Sequence, residues 1–134
     1  MARYILLTRY DDDAGAGLMS GWDPGDVAAH LDYLRRLNQE LIESGELVDM
    51  QALAGTDLAR TVVSGGPGGQ VVTDGPYGEA KEVLAGYQLV DVESEGRAIE
   101  IAALVSAVPG PGGAPLRKRI EVRRLMDDLP DGDL

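Results

Sequence analysis

Four consecutive residues near the amino terminus, Tyr4-Ile5-Leu6-Leu7, are apolar without alternation. Successive side chains of a strand point to opposite faces of a sheet, so a strand with this pattern has to be covered on both faces. Residues 86–92 make the same demand: Tyr87 and Leu89 fall on one face, Val90 and Val92 on the other. Two such strands are incompatible with a sheet that leaves one whole side to water.

The remaining elements follow from local signals. Residues 3–10 read as the first strand. A helix follows, with Asp23 as its cap, Pro24 at the first helical position and Asp26 in the first turn. Val27, Leu31, Leu34, Leu37 and Leu41 recur at helical spacing, and Gly45 ends the run. His30 lies beside that stripe and Asn38 near its middle. Residues 46–54 read as a second strand. The β-branched runs Thr61–Ser64 and Gln70–Thr73 flank five residues of Gly and Pro, which predicts a hairpin. Gly78 to Leu84 reads as a short helical turn, and 86–92 as a strand. Ser94 caps a second helix through about Ala107, which Pro109-Gly110-Pro111-Gly112-Gly113-Ala114-Pro115 stops. Ile120, Val122 and Leu125 mark a last strand. Residues 1–126 make one domain, and 127–134 an acidic tail.

The order strand, helix, strand, hairpin, strand, helix, strand gives an α+β fold. Two helices cover only one face of a four-stranded sheet. The other face then needs a second copy, so the expectation is a homodimer in which two sheets pack face to face.

Charge and composition narrow the function. The chain has 134 residues and a formal net charge of -11, a potential that repels phosphate backbones and argues against nucleic acid as a partner. With no cysteine and one histidine, thiolate chemistry and the usual zinc sites are excluded, and no metal or cofactor is expected. No segment has the length of a membrane span, and the opening apolar run is too short for a signal peptide, so the expected location is cytoplasmic, away from membranes. The acidic loop that begins Asp11-Asp12-Asp13 lacks the ligand spacing of a calcium loop. The glycines at 65–69 lead into a strand rather than a helix, unlike a phosphate-cradling loop. Against the overall charge, Leu116–Leu125 carries Arg117, Lys118, Arg119, Arg123 and Arg124 with only Glu121, a local surplus of four positive charges. It reads either as a solvated strand paired with acidic neighbours or as an anion-docking edge.

The segment Thr73-Asp74-Gly75-Pro76-Tyr77-Gly78-Glu79-Ala80-Lys81-Glu82, with Gly86-Tyr87 after it, resembles the motif of the DGPF branch of the YCII-related family. That motif runs Asp-Gly-Pro-Phe, one residue, Glu, one residue, Lys-Glu, then a Gly-Tyr strand start. Tyr77 stands where Phe is usual. The resemblance extends over roughly residues 3–125. It implies a ferredoxin-like sheet, a dimeric α/β barrel and, for some relatives, a His–Asp pair in a cleft. It also implies a non-enzymatic alternative, since such proteins often accompany extracytoplasmic-function sigma factors. A third alternative is a cofactor-free oxygenase or isomerase.

His30 is the only side chain whose unperturbed pKa lies near neutrality. It is the candidate general base, with Asp49 on the second strand as its orienter, for proton-transfer or hydrolytic chemistry. The competing reading is a half-buried histidine satisfied by a backbone carbonyl. The turn Asp74, Gly75, Pro76 and Tyr77 is the candidate ligand-binding element; alternatively it is only a tight bend. No serine sits in a nucleophile elbow.

Overall fold

The computed structural model describes residues 1–11, 18–75 and 82–126. Its elements are β1 (Ala2–Asp11), α1 (Pro24–Glu43), β2 (Leu47–Ala52), β3 (Arg60–Ser64), β4 (Gln70–Asp74), β5 (Glu82–Val92), α2 (Glu95–Ser106) and β6 (Ile120–Arg124). The main sheet has the order β2-β5-β1-β6 with every neighbouring pair antiparallel. The β3–β4 ribbon forms a separate two-stranded sheet inserted between β2 and β5. This is a ferredoxin-like α+β arrangement, and its two central strands are the two whose sequences demand cover on both faces.

One face is covered by the helices. Tyr4 and Leu6 from β1 and Val90 and Val92 from β5 pack with Leu37 and Leu41 of α1 and with Ala98, Ile101, Ala102 and Val105 of α2. Leu6, Val90, Val92 and Ile101 are fully buried, each contributing about 1.5–3 kcal/mol of apolar burial. The opposite face carries no helix. There Ile5 lies across from Leu89, and Leu7 across from Tyr87. Glu121 and Arg123 of β6 continue the same two rows.

The ends of α1 show local chemistry at work. Asp23 precedes the first turn with extended backbone, but its side chain makes no capping hydrogen bond, contrary to the sequence reading. At the other end Gly45 takes φ of 79°, and the Glu46 and Gly45 amides donate to Leu41 and Ile42 carbonyls at 2.9 and 3.0 Å. That left-handed closure favours a residue without a Cβ. Ser94 does cap α2, accepting from the Arg97 amide at 3.1 Å.

Three expectations need correction. The buried stripe of α1 is His30, Leu37, Asn38 and Leu41, whereas Leu31 is exposed, so the helix is rotated to bring the imidazole inward. Residues 82–84 are strand, not a helical turn, because Tyr10 and Asp11 pair with Val83 and Glu82. The second strand stops at Ala52. The rest of the expected turn and the acidic tail lie outside the described residues.

Candidate functional site

Between α1, the β2–β5 side of the sheet and the end of α2 lies a cavity of about 450 Å³. Leu34, Met50, Val105 and Val108 give it apolar walls. The β5 segment Ala85–Gln88 forms part of its lining, and at Gly86 the neighbouring strand comes very close. A Cβ built there would stand 2.6 Å from the Gln51 carbonyl oxygen, so only glycine lets β2 pair this tightly.

His30 lines the cavity and is only 4% exposed. Its Nδ1 lies 3.0 Å from the Pro109 carbonyl oxygen. A carbonyl only accepts, so Nδ1 carries the proton and donates; in the neutral ring the lone pair is then on Nε2. Trp22 meets the ring edge-on at 5.4 Å between centroids. The Pro109 carbonyl is itself held in place. The Leu116 amide donates to Val108 at 2.9 Å, the Gly110 amide donates to Ala114 at 2.7 Å, and Pro109 bridges Pro115. The Pro/Gly stretch after α2 is thus a folded clasp that fixes the imidazole.

The structure does not bring Asp49 to His30. Asp49 lies across from Leu89, on the face of the sheet away from the helices, and accepts a hydrogen bond from the Tyr87 hydroxyl at 2.8 Å. That bond to a carboxylate raises the Tyr87 pKa above its ordinary value. The sheet itself separates Asp49 from the imidazole, and Pro109 takes the orienting place proposed for it. Asp74 and Gly75 do not line the cavity either. The Asp74 carboxylate is almost fully exposed and pairs with Arg60 at 3.3 Å. Gly75 donates to the Ala59 carbonyl and accepts from the Thr61 hydroxyl, each at 2.7 Å. Pro76 and Tyr77 lie outside the described residues.

Two cavity residues escaped the sequence reading. Gln88 is 6% exposed, and its Oε1 has no hydrogen-bond partner among the described residues. Its signal was parity: Gln88 shares a face with Val90 and Val92, so a carboxamide falls in a row otherwise given to core side chains. Lys118 lines the same cavity and also a polar recess of about 390 Å³ that includes Arg9, Arg117 and Glu82. In the sequence it was one cation in a basic run, with nothing to separate it from its neighbours.

Among the described residues no group of His, Asp or Glu is gathered to hold a metal ion, and no helix is long and apolar enough to cross a membrane. The family model for the YCII-related domain matches residues 2–110. An uncharacterized protein of Rhizobium meliloti (strain 1021) is 30% identical over 115 residues, spanning 85% of this chain and 89% of its own length. With a family match over most of its length, the chain belongs to the YCII-related family.

Proposed function

We propose that this YCII-related protein, of the DGPF branch by its Asp74-Gly75-Pro76-Tyr77 segment, binds a small molecule in the His30 cavity and takes a proton from it through Nε2. The observation that supports this is a buried imidazole with one nitrogen committed to a fixed carbonyl, set in an apolar cavity of a size typical for small ligands. A carbonyl orients the ring without adding the negative charge a carboxylate would lend to the imidazolium. Such a base suits a proton that is already acidic, such as that of a phenol or of a carbon beside a carbonyl. It suits activation of a serine hydroxyl or a water poorly, which sets hydrolysis below proton transfer. The protein acts as a homodimer, with the helix-free sheet faces against each other.

The single histidine makes the test direct, because its imidazole C–H resonances need no assignment among rivals. Small phenols and keto acids screened by NMR are expected to shift that resonance. Leu34→Trp, which fills the cavity, is expected to abolish the shifts while the protein stays folded. A screen in which no compound moves the imidazole signal would remove the proposal.

A further inference from the structure

We infer that the cavity's ligand is an organic anion, a small apolar body carrying one carboxylate, with Lys118 as its counter-charge and Gln88 Oε1 as acceptor for a donor group on the body. This rests on the His30 cavity being a ligand site and adds the class of ligand. Three observations carry it.

The first is the state of Lys118. Within Leu116–Leu125, Arg119 is ion-paired with Glu82 at 3.7 Å and Arg123 with Glu121 at 3.8 Å. Lys118, a half-buried residue, makes no ion pair with any described residue, and its ammonium stands 6.0 Å from the centre of the Tyr10 ring. A cation on the border of an apolar cavity with no ion pair among the described residues is placed to form a charge-assisted hydrogen bond with an anionic ligand.

The second is how firmly Lys118 is placed. Ser106, in the last turn of α2, holds it from both sides. The Ser106 hydroxyl donates to the Lys118 carbonyl at 2.6 Å, and the Lys118 amide donates to the Ser106 carbonyl at 3.2 Å. Arg117 takes φ of 55°, a left-handed conformation that is strained for a side chain of its kind. Strain one residue before a clamped lysine fits a cation that has to be aimed.

The third is Gln88. Its Oε1 has no partner among the described residues and almost no surface of its own open to the cavity that Gln88 lines, so a ligand's donor meets it once the carboxamide turns. A ligand with an anionic end and a hydroxyl or N–H end would answer both residues, while its middle contacts Leu34, Met50 and Val108.

The probe pair is 4-hydroxyphenylacetate and its neutral primary amide, followed by Trp22 fluorescence and the His30 resonance. The native protein is expected to bind the acid about tenfold more tightly than the amide, the size of one charge-assisted hydrogen bond. Raising the salt concentration should narrow the gap. Lys118→Met should erase the preference without weakening the amide, Lys118→Arg should restore it, and Arg119→Gln should leave it intact. If the amide binds as well as the acid, or if Lys118→Met keeps the preference, the anion inference is overturned and the cavity remains a ligand site. If neither probe moves the imidazole or Trp22 signals, the inference falls together with the ligand-site reading for compounds of this class.

Discussion

Gln88 is costly where it stands. A buried carboxamide oxygen without a partner forfeits about 1–3 kcal/mol relative to one that is bonded. Gln88→Met keeps the shape and removes the orphan, so the variant is expected to melt at a higher temperature than the native chain and to bind cavity ligands less well. Differential scanning calorimetry beside a ligand titration checks both halves; a variant with lower stability and unchanged binding would show Gln88 to be a packing residue. His30 was legible as the one neutral-range base, but its partner was not. Sequence favoured Asp49 because it is the right chemical type on the right strand. A register shift in β2 between Leu47, which packs on the helix-side core, and Asp49 turns the carboxylate to the other side of the sheet. The group that does orient the ring is a backbone oxygen, which has no signature among side chains.

Among the elements, α1, α2 and the β3–β4 hairpin were legible because each has its own stop and start signals close in sequence. The start of β5 was not. Glu82, Val83 and Leu84 lack a strand pattern of their own and become strand by pairing with β1, a contact some seventy residues away. The hairpin was foreseen, yet its setting was not: Val62, Val63, Val71 and Val72 are all more than half exposed, on a ribbon that pairs with no other strand among the described residues. Two strands alone are marginally stable in water. A firmer joint links the residue just before β2 to α2. Arg97 donates to both carboxylate oxygens of Glu46, at 2.8 and 2.9 Å, and also to Glu100 at 3.1 Å. Those hydrogen bonds from Arg97, more than any other influence, hold the Glu46 carboxyl below its ordinary pKa. A carboxyl depressed in the folded state adds stability above its unfolded pKa of about 4.3, and that stability is lost as pH falls through the folded value. Glu46→Gln is therefore expected to cost about 1–3 kcal/mol at neutral pH and progressively less in acid. Urea denaturation of both proteins at pH 7 and pH 3 measures it; an equal deficit at both would exclude the linkage.

At the scale of the whole molecule, the helix-free face joins an apolar centre of Ile5, Leu7, Tyr87 and Leu89 to a rim of mixed charge. Arg3, Arg9 and Arg123 stand there with Asp11, Asp49, Glu82, Asp91 and Glu121, so both signs are interspersed over the face of a chain of net charge -11. Such a surface can meet a copy of itself without repulsion. Leu89→Arg, placed opposite Ile5, is expected to convert a dimer to a monomer in size-exclusion chromatography with light scattering, and a native chain that already elutes as a monomer would rule the pairing out. The demand for cover on both sides of the central strands was readable in Tyr4-Ile5-Leu6-Leu7, and the expectation that a second copy supplies it is the one the light-scattering experiment decides. β5 then has an unusual station. Gln88 turns toward the ligand cavity, while Tyr87 and Leu89 turn toward the proposed twin. A displacement of this one strand by a bound molecule would be felt across the seam, so two cavities on opposite outer sides of a pair would be separated by only two layers of backbone.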